Sequence, residues 1–225
     1  MEKGRLIVFE GPEGVGKTTQ LKMLSAKLAA AGISVVTFRE PGGTALGDAI
    51  RGILLDSPGE ITPAAEALLF MASRAEIVRE KIDPALRNGV VVLMDRFFLS
   101  TYAYQIAGRG LPEDQVRAAN ALATGGLRPD LTLAIELPAA EGMARATLRG
   151  SHDRIERSGD EFHARVEQAF ARFADGDWQR AHEECGRIVT VDGRGEPDEV
   201  LARVIATLAQ NLPDSFAMLR EPVAR

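Results

Sequence analysis

The amino-acid sequence predicts an α/β fold in which a five-stranded parallel sheet is covered by helices on both faces. Short apolar runs rich in β-branched residues occur at Leu6 to Glu10, Ile33 to Phe38, Val90 to Met94, Leu131 to Leu137 and Arg187 to Val191, and each reads as a buried strand. Segments with helical apolar spacing lie between them, and strands that alternate with helices build a parallel sheet. A chain of 225 residues with 45% hydrophobic content supplies one substantial core.

Leu6 to Glu10 runs into a glycine-rich turn, and Lys17 to Ala31 follows as a helix that Gly32 stops before the second strand. The polar loop Arg39 to Thr44 precedes a short helix to about Leu55, and Ser57, Pro58 and Gly59 break the chain. Thr62 has the character of an N-cap, with Pro63 at the first helical position and Glu66 in the first turn of a long helix to about Arg87. Asn88 and Gly89 end that helix, and Val90 to Met94 terminates in Asp95 and Arg96, as a central parallel strand would. Helices are predicted at Ser100 to Ile106, Pro112 to Thr124, Glu141 to Leu148, 161–174 and Pro197 to Asn211. The polar, glycine-punctuated stretch from Arg149 to Asp160 reads as a surface loop able to close over a ligand. Residues 1–212 form one domain with a lid at about 149–160, and 213–225 are expected to be a flexible tail.

A formal charge of −5 argues against a dedicated nucleic-acid binder. Cys185 is the single cysteine, so no intrachain disulfide exists, and a reduced, cytoplasmic setting is expected. The first apolar run is too short to cross a bilayer, and no membrane association is predicted. His152, His163 and His182 have no metal-ligand spacing with one another or with Cys185.

Gly11-Pro-Glu-Gly-Val-Gly-Lys-Thr18 satisfies G-x-x-x-x-G-K-[ST], the P-loop, and lies between a strand and a helix as the chemistry requires. Small residues at Gly11, Pro12, Gly14, Val15 and Gly16 let backbone N–H groups wrap the phosphates of ATP, where the helix N-terminus adds its positive end. Lys17 reaches the β and γ oxygens, Thr18 is the expected Mg²⁺ ligand, and Glu13 and Thr19 complete the ATP-binding stretch. Asp95, at the end of its strand, fits the acidic partner that holds Mg²⁺ across from Thr18. A P-loop alone does not separate kinases from GTPases and motor ATPases. The base-reading pattern Asn-Lys-x-Asp is missing, and Asp192-Gly-Arg-Gly195 follows the last strand and reads as a turn. Arg39 and Arg96, at carboxyl ends of strands, are placed to hold an acceptor phosphate through planar donor pairs.

Several segments in this order resemble the thymidylate kinase family: Phe9 to Thr19, Arg39-Glu-Pro-Gly-Gly-Thr44, Asp95-Arg-Phe97 with Ser100, Tyr104 and Gln105, Arg128 to Leu133, and Asp153-Arg-Ile-Glu156. The resemblance spans about residues 5 to 175. It implies a nucleoside monophosphate kinase-like P-loop NTPase fold, and a reaction in which ATP, with Mg²⁺, phosphorylates dTMP to dTDP for dTTP synthesis. It also implies a homodimer. Phe70 and Arg74, four apart on one helix face, match positions that stack on and hydrogen-bond thymine. Thr101 and Gln105 match positions near the base, and Tyr104 matches the residue that crowds the sugar where a ribonucleotide carries its 2′-hydroxyl. Glu13 departs from relatives with an arginine in this loop. The resemblance is therefore to the bacterial kind, with a catalytic arginine, Arg149 or Arg154, in the lid, and Glu13 facing the acceptor 3′-hydroxyl. Another nucleotide or deoxynucleoside acceptor, or a nucleotide-gated switch, remain alternatives that an acceptor panel separates.

Overall fold

A computed structural model describes residues 4–138, 141, 142, 144, 145 and 153–219. Five parallel strands, β1 (Leu6–Glu10), β2 (Val35–Arg39), β3 (Val91–Asp95), β4 (Leu131–Glu136) and β5 (Ile188–Asp192), form one sheet in the order β2-β3-β1-β4-β5. From β1 the chain crosses to the edge strand β2, returns to β3 and then passes to β4 and β5 on the other side, so β1 is central and all five of its residues are buried. The sheet pairs Phe9 with Asp95 and Asp95 with Arg39, which brings the ends of three strands to one level. A crevice beyond that level is where open parallel sheets bind ligands.

Alternation along the strands sends side chains to two cores. Leu6, Val8, Val92 and Met94 join one, with Phe97, Tyr102, Phe162 and Phe170. Ile7, Phe9, Leu93, Leu133 and Ile135 join the other, with Leu24, Leu28, Val204 and Leu208. The helices that cover the sheet are α1 (Lys17–Ala30), α2 (Ala45–Asp56), α3 (Pro63–Ile77), α4 (Asp83–Arg87), α5 (Phe98–Thr101), α6 (Glu113–Thr124), α7 (Asp160–Arg172), α8 (Gly176–Ala181), α9 (Pro197–Asn211) and α10 (Pro213–Phe216). Thr44 caps α2 by accepting the Gly47 N–H at 2.9 Å, and Glu196 with Glu199 forms a reciprocal capping box on α9.

The structure departs from the sequence reading at three places. The long helix to Arg87 is interrupted by a π-helical turn, Val78–Ile82, and Thr62 at its start makes no side-chain cap bond. The helix after β3 also widens into a π-helix, Tyr102–Gly108, which re-aims Tyr104 and Gln105; periodicity from sequence does not separate a 3.6-residue turn from a wider one. The tail expected to be flexible from 213 folds as far as Leu219: α10 and the 3₁₀ turn Ala217–Leu219 follow α9, with Phe216 fully buried and Leu219 nearly so. The apolar side chains at 216 and 219 have a core face to cover, so the segment docks. Residues 220–225, and most of the stretches predicted as the 141–148 helix and the start of the lid, lie outside the described residues; Glu141, Gly142, Ala144 and Arg145 are helical.

Candidate active site

The P-loop leaves β1 and wraps back onto the N-terminus of α1. Gly16, the residue before the helix, sits at φ 93°, a left-handed conformation that glycine adopts without a Cβ penalty. A Cβ on Gly11, at φ 141°, would come within 2.5 Å of the Ile135 carbonyl oxygen of β4. Lys17 is 7% exposed, and its Nζ donates to the Gly11 and Pro12 carbonyls at 3.0 and 2.7 Å. Burial, and next the neighbouring Arg96, lower its ammonium to about 7.

A cleft of about 1180 Å³ opens over this turn. Lys17, Thr18, Arg39, Asp95 and Arg96 all line it, along with Glu13, Phe70, Arg74, Ser100, Thr101, Tyr104 and Gln105. Thr18 Oγ1 donates to Asp95 Oδ2 at 2.6 Å across 77 residues of sequence. These are hard oxygen donors close enough for neighbouring positions on one small cation, and among the described residues no group of three or more His, Cys, Asp or Glu forms a metal cage. One carboxylate, one hydroxyl and substrate phosphates are the donor set that suits Mg²⁺.

Arg96 has the left-handed φ of 71°, the one non-glycine residue with positive φ among those described, and strain of this kind collects at functional sites. Its guanidinium donates to Ser100 Oγ at 3.0 Å and lies 5.2 Å from the centre of the Tyr104 ring. Burial would lower its pKa, but Tyr104, Asp95, Glu10 and Glu13 together raise it above the ordinary arginine value.

Glu10 holds this loop, a role that its position at the end of an apolar strand did not reveal in sequence. It is fully buried; Oε1 accepts the N–H groups of Phe97 and Ser100 at 2.7 and 3.1 Å, and Oε2 accepts the Ser100 hydroxyl at 2.7 Å. It thus satisfies free N–H groups at the start of α5. The Arg39 side chain has no hydrogen-bonded partner among the described residues, and Arg51 of α2 also lines the cleft. Burial and then Arg39 lower the Arg51 guanidinium. Crowded cations at strand ends make a strong anion-binding field.

Arg74 is 2% exposed, and its donors go to protein: Nε and one terminal nitrogen to Glu40 Oε2, and the others to Phe97 O, Thr101 Oγ1 and Asn120 Oδ1. It shares a face with Phe70 as the i, i+4 spacing predicts, yet it braces α3 against β2, α5 and α6 more than it projects into the cleft. Arg154 was paired in the sequence reading with Arg149 as a lid cation. It instead donates to Glu66 Oε2 at 2.6 Å and to the Leu54 carbonyl at 2.8 Å, and does not line the cleft. The buried carboxylate of Glu66 is the stronger local partner, and no sequence pattern announced it. Arg149 lies outside the described residues.

Asp153, Ile155 and Glu156 line the cleft, with Glu156 beside Glu13 of the P-loop. Burial, with the Glu13 carboxyl beside it, pushes the Glu156 carboxyl up to about 7. Gly193, Gly195, Glu196 and Pro197 form another wall beside the P-loop, and Gln20 of α1 donates to the Pro197 carbonyl at 2.9 Å. The segment that reads as a plain turn in sequence is therefore part of the site; its position after the last strand was the signal.

A family model described as thymidylate kinase matches residues 9–185. The chain belongs to the thymidylate kinase family. The thymidylate kinase of Deinococcus radiodurans is 46% identical over 210 residues, covering 93% of this chain and 98% of its own. That of Pseudomonas fluorescens is 46% identical, with 93% and 96% covered. Among solved structures, thymidylate kinase from Ehrlichia chaffeensis superposes with a TM-score of 0.70 at 29% identity, over 92% of this chain and 98% of that one. The reaction of the family is the ATP-dependent phosphorylation of dTMP to dTDP, and the fold is the nucleoside monophosphate kinase-like P-loop fold that the motif order implied.

Proposed function

We propose that the cleft binds ATP along the P-loop and the Gly193 to Pro197 wall, and dTMP between Arg39, Arg96 and Phe70. The observation that supports this division is the meeting of Thr18, Asp95, Arg39 and Arg96 at the ends of three adjacent strands, with Phe70 and Gln105 beyond them. A phosphate oxygen of dTMP attacks the γ-phosphorus of ATP, the bond to the β,γ-bridging oxygen breaks, and ADP departs with that electron pair. Negative charge gathers on the transferred group, so fixed cations do most of the work.

Lys17 follows the β and γ oxygens. Arg39 and Arg96 hold and align the acceptor phosphate, with Ser100 and Glu10 keeping Arg96 in place. Thr18 and Asp95 would hold Mg²⁺, which supplies charge neutralisation and alignment of the phosphates when bound. Phe70 offers a stacking face to thymine, Thr101 and Gln105 offer polar edges, and Tyr104 fills the space of a ribose 2′-hydroxyl. Arg74 acts by bracing these groups, and Glu13 accepts from the 3′-hydroxyl. Because Arg154 is engaged with Glu66, Arg149 is the lid arginine to which we assign the γ-phosphate contact.

The exposed apolar residues Leu46 and Ile53 on α2, Leu68 on α3 and Leu122 on α6 favour a homodimer built on these helices. No helix among the described residues is long and apolar enough to cross a membrane. A cytoplasmic site of action fits the two nucleotide substrates. The test is coupled ADP release with ATP, Mg²⁺ and a panel of dTMP, dUMP, dCMP, dGMP and UMP, with Lys17→Ala as the blank. Turnover on dTMP well above the others is expected; turnover on a different acceptor would overturn the base-pocket assignment.

A further inference from the structure

Glu66 lies in the first turn of α3, where acidic residues ordinarily face solvent and complement the helix N-terminus. Here its side chain is fully buried. Oε1 accepts Gln105 Nε2 at 3.2 Å and Arg109 Nε at 3.0 Å; Oε2 accepts a terminal nitrogen of Arg109 at 3.0 Å and of Arg154 at 2.6 Å. A carboxylate removed from water is tolerated only with such a full set of donors. The donors come from two segments that border the cleft, the π-helical turn and the 153–156 stretch. Gln105 stands on the π-helix at the base end, and Arg109 closes that same turn over the Phe162 ring, 4.3 Å from its centre. Arg154 is also tied to the end of α2, through its own N–H to Leu55 O at 3.0 Å and its Nε to Leu54 O. The neighbours of Arg154 in sequence, Asp153, Ile155 and Glu156, face the cleft. Glu66 itself shares its helix face with Phe70 and Arg74, at intervals of four residues.

We propose that Glu66 is a positioning residue of the phosphoryl transfer: it holds Gln105 at the acceptor base and, through Arg154, fixes the 153–156 segment against the same pocket, so that acceptor binding and placement of that wall are coupled. This rests on the assignment of the Phe70 and Gln105 end of the cleft to the dTMP base. Glu66→Gln keeps the shape, removes the charge and turns an amide N–H₂ towards two guanidinium groups. Arg154→Gln breaks the same contact from the wall side, without touching α3.

The experiment is steady-state kinetics of ADP release for wild type, Glu66→Gln, Arg154→Gln and the double variant, well below their melting temperatures, with Phe70→Ala as a control. Loss of charge-assisted contacts is expected to raise the KM for dTMP roughly ten-fold or more in Glu66→Gln. The KM for ATP should change less than about two-fold, and the double variant should be no worse than the worse single one. A fall in kcat with both KM values unchanged would mean a merely structural carboxylate and would overturn the proposal, as would additive losses in the double variant. If Phe70→Ala leaves the KM for dTMP unchanged, the pocket assignment itself fails. If Phe70→Ala raises it and Glu66→Gln does not, only the role of Glu66 falls.

Discussion

Thr18 Oγ1 and Asp95 Oδ2 stand 2.6 Å apart, joining the first turn of α1 to the end of β3. Since Asp95 pairs in register with both Phe9 and Arg39, the sheet places this residue between the strand that leads into the P-loop and Arg39. Asp95→Asn keeps the volume and loses the charge. Its kcat/KM is expected to fall at least roughly 100-fold, with a higher Mg²⁺ requirement. A Mg²⁺ titration of ADP release checks this, and an unchanged titration midpoint would reduce Asp95 to a turn-capping role.

Lys17 gives a pH prediction. Its ammonium is lowered to about 7 by burial and then by Arg96, and the phosphates of a bound nucleotide favour the charged form. Below about pH 7 Lys17 is already protonated, whereas above it ATP brings in a proton. ATP affinity should therefore weaken as pH rises above about 7. Calorimetry at pH 8 in buffers of different ionisation enthalpy should show proton uptake, and the uptake should shrink at pH 6.

Glu156 makes the opposite kind of contribution, to stability. Its carboxyl is raised from 4.5 to about 7 by burial and by Glu13, so the folded state holds a proton that the unfolded chain releases. The stabilisation from this group is fully present below about pH 4.5 and is lost as pH rises through about 7. Glu156→Gln should melt above wild type at pH 8 and gain nothing at pH 5. Parallel melting curves at the two pH values decide the matter.

Gln20 bridges α1 to the wall at Pro197 through a 2.9 Å hydrogen bond. Gln20→Ala releases that wall. The KM for ATP should rise several-fold, on the order of one buried hydrogen bond, while the KM for dTMP stays within about two-fold. An equal rise in both would place the effect on the whole cleft.

Phe216 tests the folded tail. Phe→Ala in a core costs about 3–5 kcal/mol, which for a domain of this size lowers the melting temperature by on the order of 10 °C. Truncation before residue 213 should destabilise similarly. A melting point unchanged in either variant would return the segment to the flexible reading.

Strand order along the chain, the P-loop and the acidic end of β3 were all legible in sequence because each is a local pattern: a buried strand is a run of apolar residues, and a phosphate loop is a spacing of glycines. The docking of 213–219 was not, because an apolar residue a few places beyond a helix says nothing about which surface it meets. The π-helical turns at Val78–Ile82 and Tyr102–Gly108 were hidden for a similar reason, as they shift hydrogen-bond partners without changing composition.

The sequence by itself determined the fold class, the family and the P-loop motif, since these depend on side-chain type and short-range spacing. Only the tertiary structure decided which partner each charge keeps. Arg74 turns to Glu40, Arg154 to Glu66 and Ser100 to Glu10, across 34, 88 and 90 residues of chain. The physical reason is that a buried ion must be matched within about 4 Å, and the groups that come that close are set by how helices pack on the sheet rather than by position along the chain.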